Sequence, residues 1–337
     1  LSRMPELPEV EVVRAGLAPA VAGASVASVT VFDERSLRRH PGPSEDFIDR
    51  LPGSTFTSAE RRGKFLWLPL APSLVEPVEA SRPTARRALS EIQDNGAVVD
   101  GSIGDFAAES AQSPEFPKEA LVVHLGMSGQ VLLRTPDAPD DRLTRIRIEL
   151  ASPGHGPLIL NFVDQRIFGS MAIDTLVATA DDTEQRVPSQ VAHIARDPMD
   201  PGFDDRAFLK ALARKQTTIK RALLDQTLIS GVGNIYADEA LWAARVHYDQ
   251  PTATLSRPRA TALLAEVRRV LGQALAEGGT SFDAQYVNVN GASGDFSHSL
   301  NAYGRQGEPC PRCGRPIVRE SFMNRGSHFC AFCQRAP

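Results

Sequence analysis

The chain has 337 residues, 42% of them hydrophobic, and a formal net charge of −4. That length carries two or three domains with real cores, and no apolar run approaches the roughly 18 residues that would read as a membrane span. No basic region followed by an apolar one opens the chain, because acids appear by Glu6, Glu9 and Glu11, so a secretory signal is not expected and a cytoplasmic setting is.

In chain order, Glu9 to about Leu17 reads as a helix, with Val10, Val13 and Leu17 at i, i+3 and i+7 and Pro8 suited to a first turn. Strand-like runs follow at Ser25–Phe32, Ser54–Arg61 and Phe65–Leu70, rich in β-branched and aromatic residues and bounded by turn residues. Residues 71–118 change character, holding eight acids against four bases with much Ala, Ser and Pro. This stretch reads as a mostly disordered acidic insertion with a short helix near Thr84–Ile92. Strand patterns resume at Leu121–His124, Gly129–Arg134, Arg145–Leu150, Leu158–Phe162 and Ser170–Asp174. The N-terminal part is therefore mainly β with one leading helix, which suggests a sandwich or flattened barrel. A polar stretch, Asp181–Ser189, marks a boundary. Helical patterns then cover Asp205–Ala213, Thr217–Leu224, Asn234–Ala244 and Arg257–Glu277. The expected division is an α+β, multidomain chain: a β-rich unit over 4–180 interrupted by 71–118, a helical unit over 190–300, and a small tail over 301–337.

That tail holds all four cysteines and six arginines against two glutamates. The negative global charge thus averages a basic tail with an acidic segment, and local charge is what a polyanion feels. The spacing is Cys310-x2-Cys313-x16-Cys330-x2-Cys333. Two Cys-x2-Cys knuckles separated by a hairpin-length spacer suit one tetrahedral Zn2+, and four thiolates leave no open position for water, so the expected zinc is structural. It would fold a hairpin too small for its own core. Arginines on that hairpin could clamp phosphates or form a solvated basic face.

Ile229-Ser230-Gly231-Val232-Gly233-Asn234 lies between two helical runs. Its glycines permit a tight turn, and Asn234 can open the next helix, whose amides could hold a phosphate. On spacing alone an ordinary helical hairpin fits equally well. Pro5 and Glu6, taken alone, read as a helix-entry proline and a first-turn acid.

Together the motifs resemble formamidopyrimidine-DNA glycosylases. They are Met4-Pro5-Glu6-Leu7-Pro8-Glu9-Val10-Glu11; His124-Leu125-Gly126-Met127-Ser128-Gly129; Asp164-Gln165-Arg166-Ile167-Phe168-Gly169; Leu224-Asp225-Gln226 running into Gly231-Val232-Gly233-Asn234-Ile235-Tyr236; and Tyr303-Gly304-Arg305 running into the cysteine tail. The resemblance implies a β-sandwich domain, a helix-two-turn-helix domain and a zinc-finger hairpin held by four cysteines. It implies removal of oxidised purines (8-oxoguanine, formamidopyrimidines) from duplex DNA, followed by cleavage of the abasic strand through β,δ-elimination. The partner would be double-stranded DNA holding oxidised bases or abasic sites, and the enzyme a monomer with no membrane association.

The same resemblance assigns roles. Pro5 is the amine nucleophile once the residues before it are removed. With Leu1-Ser2-Arg3 and Met4 attached its nitrogen is an amide, so a start at Met4 or later processing is expected. Glu6 is the acid. Lys64 donates a proton in elimination, and Arg325 grips the phosphates at the lesion. Met127, Arg166 and Phe168 fill the gap left by the flipped base, although core packing is the plain alternative for Met127 and Phe168. Lys215, Lys220 and Asn234 contact phosphate. Thr280–Leu300 resembles a segment that closes over the flipped base. The chain departs from the family at Ile167, where arginine is common, at Gln165, where proline is common, and near Leu143, where the family's DNA-contacting histidine falls. The sister activity on oxidised pyrimidines, in the manner of endonuclease VIII, and a non-catalytic DNA-binding role are the alternatives.

Overall fold

The computed structural model describes residues 5–71, 117–139, 141–182, 184–280, 289 and 295–337. The expectations for Leu1–Met4, for most of 71–118 and for most of the loop after Thr280 fall outside them.

The first helix, α1 (Leu7–Val21), has Pro8 in its first turn and buries Val10, Val13, Leu17 and Val21 along one face. It ends where Gly23 takes φ +75, a conformation that suits a residue without a Cβ. Strands β1 (Ser25–Val31), β2 (Thr55–Phe56), β3 (Glu60–Arg62), β4 (Phe65–Ala71), β5 (Glu119–His124), β6 (Gly129–Arg134), β7 (Thr144–Ser152), β8 (Gly156–Asp164), β9 (Ser170–Ala178) and β10 (Arg186–Pro188) form one antiparallel sheet. Its path is β10-β9-β5-β4-β2-β1-β7-β8-β6, with β3 also paired to β4. Phe56, Leu66, Leu68, Leu121 and Ile173 from one half share a core with Val26, Ile146, Ile148, Leu160 and Phe162 from the other. The sheet therefore folds over on itself as a sandwich, with α1 closing one end.

The run Ser54–Arg61, expected as one strand, is two. Thr57 donates to the carbonyl of Pro69 at 3.0 Å, but a proline has no N–H to return. The ladder breaks there and restarts at Glu60↔Trp67. A short helix, α2 (Ser44–Arg50), carries one fully buried residue, Phe47, which is too little periodicity to read from sequence.

The helical unit contains α3 (Asp205–Arg214), α4 (Ile219–Leu224), α5 (Asn234–Ala243) and α6 (Arg257–Ala276). The Asp204 carboxylate caps α3 through the amides of Arg206 and Ala207. Leu7 of α1 belongs to this second core, with Ile219, Leu223, Tyr236 and Leu264. One helix thus joins both units, and residues 5 and 6 lie at their seam. Strands β11 (Val318–Phe322) and β12 (Arg325–Phe329) make the terminal hairpin. No helix among the described residues is long and apolar enough to cross a membrane.

Candidate active site and metal centre

The chain enters α1 through the helical unit. Leu7 donates to the Gly231 carbonyl at 3.0 Å. The Glu6 carboxylate, 3% exposed, accepts the amides of Gly233 at 2.9 Å and Ile235 at 3.1 Å. Those amides open α5, so Glu6 sits at the positive end of that helix dipole. A Cβ on Gly233 would run into the Glu6 carboxyl group. Burial pushes the Glu6 pKa up to about 7; Lys64 and the α5 amides oppose the rise, and Glu9 adds to it.

Glu9, one turn along α1, is a buried carboxylate at the site to which the sequence motifs give no role. It accepts the Glu6 amide at 2.8 Å, the Tyr236 hydroxyl at 2.5 Å, and the amide and hydroxyl of Thr280 at 2.8 Å each. It ties the acid, α5 and the entry to the 280 loop together. The Glu-x-x-Glu spacing at a helix start is the signal that could have found it.

Lys64 sits on the β3–β4 turn, where Gly63 takes φ +58 and packs against Ser230. Burial holds its ammonium below the ordinary lysine pKa; Glu6 opposes this and Arg325 reinforces it. A cavity of about 290 Å³ brings Pro5, Lys64, Phe65, His124, Met323 and Arg325 together. An adjoining cleft of about 760 Å³ is lined by Glu6, Lys64, Met127, Asn234 and Arg325. Six of the expected site residues thus share one groove between the sandwich, the helical unit and the hairpin.

Arg166 and Phe168 project from the β8–β9 turn, with the guanidinium 5.1 Å from the ring centre and Phe168 39% exposed. That exposure removes the plain packing alternative for Phe168. The buried Asp164 carboxylate holds this turn from below by accepting the amides of Gly169 at 2.7 Å and Arg166 at 3.0 Å. It also accepts the Ser128 hydroxyl at 2.5 Å, which fixes the Met127 loop beside it.

The two helical lysines expected at phosphates both have partners within the protein. Lys215 is ion-paired with Asp225 at the end of α3. Lys220 is wholly buried. It pairs with Asp238 at 2.6 Å, donates to Ser327 at 2.7 Å and to the Gly326 carbonyl at 3.1 Å, and lies 5.0 Å from the Phe322 ring centre. Asn234 donates to the same Gly326 carbonyl at 3.1 Å. Both side chains therefore anchor the residue after Arg325, because a buried ammonium needs a charge partner and acceptors.

The four cysteine sulfurs lie within 4.8 Å of one another. Trp242 donates to Cys310 Sγ at 3.4 Å, and Cys330 and Ile317 pack on the same indole cluster. Four converging sulfurs with no oxygen ligand fit one tetrahedral zinc.

Three family descriptions match consecutive parts of the chain: the formamidopyrimidine-DNA glycosylase N-terminal domain over residues 4–171, its H2TH domain over 194–285, and the zinc finger found in FPG and IleRS over 307–336. The chain is 57% identical to a formamidopyrimidine-DNA glycosylase of Leifsonia xyli subsp. xyli, covering 98% of this chain and 100% of that one. It is 49% identical to one of Streptomyces avermitilis, over 99% of each. Among solved structures it resembles Lactococcus lactis Fpg bound to N7-benzyl-Fapy-dG DNA, with a TM-score of 0.72 and 28% identity over 98% of this chain and 100% of that one. A complex of the same enzyme with abasic-site DNA gives a TM-score of 0.71 at 26% identity, with the same coverage. The cysteine cluster is a structural zinc site.

Proposed function

This chain belongs to the formamidopyrimidine-DNA glycosylase family, and from that premise we propose that it removes oxidised purines from duplex DNA through the Pro5 amine. It then cleaves the abasic strand. The supporting observation is the convergence of Pro5, Glu6, Lys64 and Arg325 on one groove with openings to solvent.

Freed of the residues before it, the Pro5 nitrogen is a secondary α-amine with a pKa of about 8. A useful fraction is then free base at neutral pH. The amine attacks C1′ of the damaged nucleotide as the base departs. Glu6, with its pKa near 7, remains partly protonated at neutral pH and delivers a proton to the opening sugar. The resulting iminium acidifies C2′. Loss of that proton expels the 3′ phosphate, and a second elimination expels the 5′ phosphate. Lys64 serves the proton transfers, with its ammonium kept less basic by burial. Arg325 binds the departing phosphates, and the zinc holds the hairpin that carries it.

Base extrusion leaves a gap in the duplex. Met127, Arg166 and Phe168 suit that gap, with two apolar wedges and one donor for the unpaired base. All these groups come from one chain, which supports action as a monomer, and DNA as partner supports a cytoplasmic setting. The test is cleavage of 8-oxoguanine opposite cytosine against thymine glycol opposite adenine, with protein that begins at Pro5. Faster cleavage of the first is expected. Preference for thymine glycol would move the chain to the oxidised-pyrimidine activity.

A further inference from the structure

The turn that carries Arg166 and Phe168 contains a conformational anomaly. Ile167 has φ +56. This left-handed region crowds a β-branched side chain and strains the backbone. Such a residue persists only where its surroundings over-determine it. From below, Asp164 fixes the amides of Arg166 and Gly169, but it touches neither carbonyl at the strained step.

The carbonyls are held from another part of the chain. Arg38 follows a single 3-10 turn (Glu34–Leu37) after β1. Its Nη1 donates to the Ile167 carbonyl at 2.6 Å and its Nη2 to the Phe168 carbonyl. One planar guanidinium thus spans two consecutive carbonyls across 129 and 130 residues of sequence. A forked, rigid donor suits that task, and a lysine, with one flexible nitrogen, does not. On the inner side Gly126 closes the arrangement: a Cβ there would strike the Phe168 carbonyl group.

We propose that Arg38 is a positioning residue that clamps the Ile167 and Phe168 carbonyls, holds the strained turn, and so aims Arg166 and Phe168 at the gap in the duplex. The inference rests on the void-filling reading of Arg166 and Phe168 given above. It assigns Arg38 a role distinct from a phosphate contact. Released from the clamp, Ile167 relaxes towards negative φ, and both flanking side chains swing away.

The experiment uses protein that begins at Pro5 and compares R38A, R38K, R38A/I167G and R166A. The readout is the ratio of 8-oxoguanine excision rates opposite cytosine and opposite adenine. The salt dependence of DNA affinity is recorded alongside. R166A should lower the ratio about tenfold, the discrimination one bidentate base contact supplies. R38A should approach the same loss. R38K should behave like R38A, because it keeps the charge and loses the fork. R38A/I167G should recover most of the ratio, since glycine accepts positive φ without strain. The salt slope should stay the same in R38K. A normal ratio in R38A beside a lowered one in R166A overturns the clamp while leaving the void-filling reading intact. A normal ratio in R166A removes the void-filling reading itself. A ratio restored by R38K, with a salt slope reduced by about one in R38A, would make Arg38 a phosphate contact instead.

Discussion

The carboxylate of Glu6 accepts the amide of Gly233 at 2.9 Å across 227 residues of chain. The proposed acid is therefore positioned by the first turn of a helix in another unit. A Gly233→Ala substitution puts a methyl group where that carboxyl lies. Excision of 8-oxoguanine should fall about a hundredfold, the cost of a displacement near 1 Å at a reacting group. Single-turnover kinetics checks this. An unaltered rate would mean that the Glu6 position is not held by this turn.

The raised pKa of Glu6 has a consequence for stability. Its value is about 7 in the folded chain against 4.5 as the ordinary value. The protonated form is thus the one the fold prefers. Its contribution is complete below about pH 4.5 and is lost as pH rises through 7. Relative to Glu6→Gln, the protein should lose about 1.4 kcal/mol per pH unit across most of that window, approaching a total on the order of 3 kcal/mol. Urea unfolding of both proteins from pH 4.5 to 8 measures the difference. Parallel curves would contradict the assignment.

Lys220 and Asp238 are a buried pair, with side chains 0% and 1% exposed. Removing one partner leaves the other charged and buried without its ion partner, so Lys220→Met should cost about 3–5 kcal/mol. The double variant K220M/D238N should recover part of that loss. Chemical denaturation distinguishes this anchor from a phosphate contact, which would leave stability of the free protein nearly unchanged.

Zinc removal should act through the hairpin. The two tryptophans are Trp67 and Trp242, and Trp242 donates to Cys310. In a Trp67→Phe background, a chelator should change the Trp242 fluorescence and lower abasic-site cleavage at least tenfold, because the segment presenting Arg325 loses its core. Added zinc should restore both. Retained cleavage after loss of the metal would separate Arg325 from the catalytic groove.

The zinc site was legible because ligand spacing is local: two knuckles and a hairpin lie within Cys310–Cys333. The helices of the second unit were legible from periodicity to within two residues at their ends. The groove was not legible from composition or period, since its members come from five distant segments and only the family resemblance joined them. The resemblance gave Lys220 a phosphate contact, and nothing in Ile219-Lys220-Arg221 reports that β12 lies over it. Arg38 stood unnoticed for the same reason, since its partners are backbone carbonyls and carry no side-chain signature. Glu9 stood in full view, one of two carboxylates at capping-box spacing with only the first assigned a role.

The central claim is that the Pro5 amine is the nucleophile. Protein beginning at Pro5 is incubated with abasic-site DNA and sodium borohydride, and the reduced adduct is mapped by mass spectrometry, beside protein that retains Leu1-Ser2-Arg3-Met4. A covalent adduct on Pro5 in the first and none in the second is the predicted result. An adduct on Lys64, or an equal yield from the protein that keeps Leu1, would contradict it.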